Sequence, residues 1–294
     1  MASINAMKPA PFSYYAPKTV AEAVATLSEV APLDGRVLAG GQSLVPTMAF
    51  RLAKPLHLVD INGVEGLDSI RIDKGQLIIR ACVRHAAFHR PVCNGPLGCL
   101  LTEVVSHIAH YPIRNRGTFC GSLAHADPAS EWCLVFTTFD GEIKAQSTRG
   151  LRTIAVTDFF TGVMSTALKE DELLIEAYLS LPPDDTHCGF YEFSRRAGDF
   201  AIAAAVVSYR LKDGKVIEPR VGIGGAESNP RRIVEAENTL LGQSPGKDAF
   251  MRAAQAAAAA VDPMDDASIT ASFRRELVAV VTRRALERAS RSLA

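Results

Sequence analysis

Two short segments carry the residue types best suited to chemistry. Ala39-Gly40-Gly41-Gln42-Ser43 follows an apolar run and leads into a stretch with helical character. Glycines there permit positive φ and let a ligand approach the main chain closely. Successive amides then form an anion nest, a following helix start adds partial positive charge, and the Ser43 hydroxyl can donate to an oxyanion. That is the cradle a pyrophosphate needs, although Gly-Gly is equally read as a tight turn. The second segment is Arg116-Gly117-Thr118-Phe119-Cys120-Gly121-Ser122, continuing through Asp127-Pro128-Ala129-Ser130-Glu131. Its hydroxyls and amides suit phosphate oxygens, and its carboxylates suit the hydrogen-bond donors of a ribose or adenine. Asp127 is also placed to cap a helix whose first residue is Pro128, a role that leaves its other oxygen for a ligand. Neither segment is the GxGxxG fingerprint or a Walker loop, so nicotinamide and nucleoside triphosphate sites of those kinds are not indicated.

The elements around these segments alternate. Residues 12–17 form an aromatic extended run, and Thr19 with Glu22 makes a capping box for a helix through Leu27. Arg36-Val37-Leu38-Ala39 reads as a strand running into the first glycine pair, 44–52 as a helix and 57–61 as a strand. Residues 69–72 and 76–81 flank Asp73-Lys74-Gly75 as a hairpin. Residues 97–110 and 128–139 have helical spacing, the second closed by Asp140-Gly141, and further strands run from 142 to 181. Pro182-Pro183-Asp184-Asp185 is the clearest linker. Beyond it, 189–195, 201–211 and 215–223 read as three antiparallel strands, and 232–294 as alanine-rich helix. The expectation is therefore two domains, 1–183 and 184–294.

Composition narrows the function. Lys+Arg and Asp+Glu are 32 each in 294 residues, a balance that argues against nucleic acid or an anionic membrane as partner. No run of about 18 apolar residues marks a membrane span, and the N-terminus lacks a secretory pattern. The six cysteines include no CxxC pair and match no zinc or iron–sulfur spacing, so no metal site is expected. Buried thiols in a reducing cytoplasm fit better.

The pairing of Leu38-Ala39-Gly40-Gly41-Gln42-Ser43-Leu44-Val45-Pro46 with Ile113-Arg114-Asn115-Arg116-Gly117-Thr118-Phe119-Cys120-Gly121-Ser122-Leu123-Ala124-His125-Ala126-Asp127-Pro128 resembles the FAD-binding medium subunit of molybdenum hydroxylases, the carbon monoxide dehydrogenase and xanthine dehydrogenase family. The likeness continues through Arg196-Ala197-Gly198-Asp199-Phe200-Ala201 and Val221-Gly222-Ile223-Gly224-Gly225. It implies an α+β chain: a vanillyl-alcohol-oxidase (PCMH)-type FAD domain of two α/β subdomains, then a C-terminal domain with a three-stranded antiparallel sheet and helices. It further implies that the backbone of Ala39, Gly40, Gly41, Gln42 and Ser43, with that of Thr118, Phe119, Cys120, Gly121 and Ser122, holds the FAD pyrophosphate. Glu131 then matches the acidic position near the adenosine ribose, with Asp127 as an additional contact, and Leu174 a position whose backbone faces the flavin edge.

Two departures stand out. Cys120 replaces the first glycine of the usual pair and is expected to strain a glycine-only conformation. Tyr191-Glu192-Phe193 stands where relatives often carry a lysine, so no role passes to it. His110 and Tyr111 either stack near the flavin or end a packed helix, and Arg195 and Arg196 either supply positive charge or form a solvated face.

By the same resemblance, substrate is hydroxylated on a large molybdenum–pterin subunit. Electrons pass through two [2Fe–2S] clusters of a small subunit to FAD on this chain and then to an external acceptor, in a dimer of heterotrimers. No catalytic acid or base is assigned here. The competing expectations are a self-contained FAD-dependent small-molecule oxidase and a flavin-free assembly or scaffold subunit.

Overall fold

The computed structural model describes residues 8–266 and 269–291. The N-terminal part holds two sheets. In the first, β1 (Ser13–Tyr15), β2 (Gly35–Leu38) and β3 (His57–Asp60) are parallel in the order β1-β3-β2. The connection from β1 to β2 is α1 (Val20–Val30), whose Thr19–Glu22 capping box forms as the sequence predicts. The apolar spacing of α1 buries Ala23, Val24 and Leu27. After β2 the chain turns at the first glycine pair into α2 (Leu44–Ala49).

The second sheet is antiparallel, with β4 (Ile70–Asp73), β5 (Gln76–Arg80), β6 (Glu142–Ser147), β7 (Gly150–Ala155) and β10 (Leu173–Ser180) in the order β4-β5-β10-β6-β7. Lys74 and Gly75 both take positive φ in the β4–β5 turn, the geometry that a two-residue hairpin favours. The helices α3 (Gly95–Val105), α4 (Tyr111–Arg114), α5 (Phe119–His125), α6 (Glu131–Thr138) and α7 (Val156–Phe159) complete this part, with a small ribbon of β8 (Phe160–Gly162) and β9 (Ser165–Thr166). The helix expected over 97–110 stops at Val105, and α6 begins at Glu131 rather than at Pro128.

The C-terminal sheet contains the three expected strands, β11 (His187–Phe193), β12 (Ala203–Lys212) and β13 (Lys215–Gly224). A two-residue β14 (Arg231–Arg232) adds a fourth at the edge. This sheet is covered on one face by α8 (Val234–Leu240), α9 (Lys247–Ala260) and α10 (Ala271–Ala289). Strand β12 is apolar at successive positions because both of its faces are buried. Ala203, Ala205, Val207 and Tyr209 join the helical layer, while Ala204 and Val206 join the core of the N-terminal part. The period of two along a strand thus welds the two parts together.

Candidate functional site

The two glycine segments meet face to face. A Cβ on Gly40 would lie 2.3 Å from the Arg116 carbonyl oxygen and 2.7 Å from Gly117 Cα, so only glycine allows this approach. Gly41 turns the chain with φ 72°. Its carbonyl accepts from Val45 N–H at 3.0 Å, and α2 starts there. Ser43 precedes α2 without capping it, which leaves its hydroxyl at the wall of the cleft.

The second segment is a helix start rather than a glycine loop. Thr118 is the N-cap of α5, and its hydroxyl accepts from Gly121 N–H at 3.0 Å. Cys120 lies within the first turn of α5, outside the positive-φ region, so the expected strain is absent. Its thiol is buried, donates to Ile79 O, and is held well above the usual thiol range by that burial.

A cleft of about 340 Å³ lies between the segments. Ala39, Gly40, Gly41, Gln42, Ser43, Thr118, Gly121 and Ser122 all line it, joined by Thr47 and His85. A neighbouring cleft of about 230 Å³ shares Arg36, Val37, Ala39, Gly121 and Ala124 with the first, so the two adjoin along a common wall. Ile61, Cys120, Leu173 and Leu174 line this second cleft beside the charged Lys169, Glu170 and Glu172. Leu174 sits beside a bulge of β10 against β6. The turn ahead of it is held by the Glu172 carboxylate, which accepts from Arg152 and from Lys169 N–H at 2.7–2.8 Å. Burial alone would raise the Glu172 pKa, but these hydrogen bonds outweigh it and lower the value.

Three further predicted positions lie off the groove. The Phe119 ring is buried against Phe88 and Trp132, with ring centres 5.6 and 5.0 Å away. Asp127 closes a local turn, its carboxylate accepting from Ala129 N–H at 2.9 Å, and does not cap the helix directly. Glu131 is buried at the start of α6. That burial, with Glu192 nearby as a second cause and Asp127 as a lesser one, pushes its carboxyl up to about 8. Glu192 accepts from or pairs with His107 Nδ1 at 3.1 Å, and its other oxygen is buried with no partner among the described residues. Tyr111 is 63% exposed, and His110, Arg195 and Arg196 are also exposed.

Polar residues outside both motifs fix the loops. Asn62 donates to Ala39 O at 2.7 Å and accepts from Arg84 at 2.6 Å, while its backbone N–H is held by Asp60 at 2.9 Å. Arg84 also donates to Arg116 O, so one guanidinium ties both loops together. His85 N–H donates to Gly117 O at 2.9 Å. In the sequence these residues show only as polar groups next to apolar runs at 57–61 and 77–83, a signal too common to mark them.

The residues suit a dinucleotide with an anionic centre and a flat ring. The first cleft offers hydroxyls, amides and a helix start, and the adjoining one offers Ile61, Leu173 and Leu174 as flat-ring contacts beside charged side chains. Among the described residues no group of three or more His, Cys, Asp or Glu side chains is placed to hold a metal ion, and no helix is long and apolar enough to cross a membrane.

Comparison with known proteins agrees with this geometry. Residues 10–182 match the family described as the FAD binding domain in molybdopterin dehydrogenase, and residues 189–289 the CO dehydrogenase flavoprotein C-terminal domain. The chain is 34% identical to the nicotine 6-hydroxylase medium subunit of Paenarthrobacter nicotinovorans, covering 95% of this chain and 98% of that one. It is 32% identical to the carbon monoxide dehydrogenase medium chain of Hydrogenophaga pseudoflava over 96% and 98%. A solved carbon monoxide dehydrogenase from the same organism superposes with TM-score 0.91 at 33% identity, covering 96% of this chain and 98% of that one. Quinoline 2-oxidoreductase from Pseudomonas putida 86 gives 0.90 at 31%, covering 98% and 100%.

Proposed function

The chain belongs to the family of FAD-binding medium subunits of molybdenum hydroxylases, and from that premise we propose that it is the electron-relay subunit of a three-subunit oxidoreductase. The observation that carries this reading is the cleft in which the two glycine segments converge at 39–43 and 118–122, adjoined by a second cleft that reaches Leu173 and Leu174. Bound there, FAD supplies the redox chemistry, while the protein supplies position, electrostatics and solvent access. Residues 39–43 and the start of α5 hold the pyrophosphate. Ser43 and Ser122 would offer hydroxyls to its oxygens, while Thr47 already donates to Leu44 O at 2.8 Å, and the backbone at Leu174 would lie toward the ring. Asp127 and Glu131, which line neither cleft, are assigned to the adenosine side, where Glu131 would serve as a hydrogen-bonding carboxyl rather than as a proton-transfer catalyst.

Residues 1–183 form the cofactor domain and 184–294 the C-terminal domain. The partners are a large molybdenum–pterin subunit that hydroxylates the substrate and a small subunit with two [2Fe–2S] clusters, assembled as a dimer of heterotrimers. Six free cysteines, five of them buried, support a cytoplasmic setting.

The test is to purify the tagged chain from its native host and to measure the flavin, molybdenum and iron in whatever accompanies it. One FAD per chain, with molybdenum and iron only in the co-purifying chains, is the expected result. A chain that comes alone, takes up FAD and by itself oxidises an organic compound would instead make it a self-contained oxidase. A chain unable to take up added FAD would make it a scaffold.

A further inference from the structure

Beneath Gly117 lies an imidazole that belongs to neither glycine motif. His85 is only 5% exposed. Its Nδ1 stands 2.9 Å from the indole nitrogen of Trp132. An indole N–H can only donate, so Nδ1 is the bare nitrogen and Nε2 carries the ring hydrogen. Trp132 is itself fully buried, its ring 4.9 Å from Phe88 and 5.0 Å from Phe119 centre to centre. The core therefore fixes both the tautomer and the tilt of the imidazole. Burial, reinforced by Arg84 and Arg114, lowers the His85 pKa to about 3, so the ring is neutral.

The Nε2 edge of the ring runs along Gly117, where a Cβ would stand 2.5 Å from it. His85 shares the cleft wall with Gly40, Gly41, Ser43 and Gly121. Among the described residues no acceptor meets Nε2, since the hydrogen bond to Trp132 is the one the ring makes. This leaves a free ring donor on a residue that lines the cleft where the amides and hydroxyls of both glycine segments converge.

We propose that His85 is a cofactor-binding residue whose Nε2–H donates to a phosphate oxygen of the dinucleotide, with Trp132 as the residue that positions it. This rests on the FAD reading of the groove and adds to it a donor anchored in the core rather than in either loop. Gly117 must then be glycine for a second reason: any side chain there would cover the donor.

The experiment uses the full chain, titrated with FAD and separately with riboflavin, which lacks the phosphates, and followed by quenching of flavin fluorescence. His85→Phe keeps the volume and removes the donor. It is expected to weaken FAD by roughly ten- to a hundredfold, the effect of losing a hydrogen bond to a charged group, with riboflavin affinity unchanged. His85→Gln, whose amide nitrogen reaches the Nε2 position, is expected to recover part of the loss. Should His85→Phe fail to fold, Trp132→Phe frees the ring to carry its hydrogen on either nitrogen. A smaller loss of FAD, with riboflavin again unchanged, is the expected result. Equal losses for FAD and riboflavin, or unchanged FAD affinity in the folded variant, would overturn the proposal. Wild-type chain that binds neither flavin would remove the groove reading and the role of His85 with it. Wild type that binds FAD while the folded His85 variant binds it equally well removes only the latter.

Discussion

Gly40 and Gly41 look interchangeable in the sequence, but the structure gives them different consequences for FAD. A Cβ at residue 40 would lie 2.3 Å from Arg116 O, 2.7 Å from Gly117 Cα and 2.9 Å from Arg116 C. Non-bonded carbon contacts settle at about 3.5–4.0 Å, so Gly40→Ala must part the two loops by about 1 Å. Every obstacle is main chain, and Arg116 O is held by Arg84, so the neighbour cannot simply rotate away. Overpacking of this kind costs about 1–3 kcal/mol. Whatever part the free chain relieves by opening must be returned when FAD closes the cradle, which weakens binding by about 5- to 150-fold.

Gly41→Ala differs. Its Cβ would meet only side-chain atoms of Val45 and Leu38, at 3.1 and 3.2 Å, but the residue has φ 72°. The left-handed conformation costs an alanine about 1–2 kcal/mol whether or not FAD is bound. This variant should lose stability to urea while keeping its FAD affinity. The assay pairs urea unfolding of the FAD-free chain with fluorescence titration by FAD. Gly40→Ala with wild-type affinity, or Gly41→Ala with the larger loss of affinity, would refute the opposed-loop geometry.

Three other outcomes follow from the surroundings of the groove. Asn62→Ala removes the donor to Ala39 O and the acceptor of Arg84. It should lower stability by about 1–3 kcal/mol in urea and speed FAD release in stopped-flow measurements. Cys120→Gly restores the glycine pair common among relatives, yet places glycine inside a helix and empties a buried site. Stability should fall by about 1–2 kcal/mol, with flavin content after reconstitution unchanged; a rise in stability would contradict the helical placement. The Glu131 carboxyl sits at about 8 in the folded chain against an ordinary 4.5, so between those values the folded chain holds a proton that the unfolded chain releases. Stability then falls as pH rises from about 4.5 to 8. Glu131→Gln should flatten that slope and stabilise the FAD-free chain at pH 8, as read from urea midpoints across the range.

Local chemistry made much of this arrangement legible. The Thr19–Glu22 box, the Asp73-Lys74-Gly75 turn and the strands β11 to β13 are set by residues within a few positions of one another, and each forms. The two glycine segments were legible as ligand-holding residues for the same reason. Their relation was not, because the contact of Gly40 with Arg116 joins residues 76 apart in number through space. The second segment misled locally. Thr118 resembles a loop hydroxyl, but it caps a helix, and this moves Cys120 into a conformation any residue adopts. Phe119 was expected to contribute its backbone, and what the sequence did not show is that helical geometry turns its side chain into the aromatic core. Asn62, Arg84 and His85 stayed hidden because each acts across the fold, on Ala39, Arg116 and Trp132.

Helix α6 explains why the C-terminal domain matters to a groove it does not line. Over eight residues it carries Glu131, the carboxyl that faces Glu192 of β11, and then Trp132, which holds His85. At its other end the Thr138 carbonyl accepts from Arg220 of β13 at 3.1 Å. Leu134 packs within 3.5 Å of where a Cβ on Gly224 would stand, and Thr138 within 2 Å of one on Gly222, so β13 lies directly on the helix. A shift of the C-terminal sheet cannot leave α6 in place, because the buried Glu192 side chain and the β13 backbone both bear on it. Moving α6 moves the indole that fixes His85, at the cleft wall. The C-terminal sheet therefore bears on the position of His85 through a single short helix. That linkage also accounts for a β12 strand apolar on both faces: the sheet has to be seated on the cofactor domain as firmly as on its own helices.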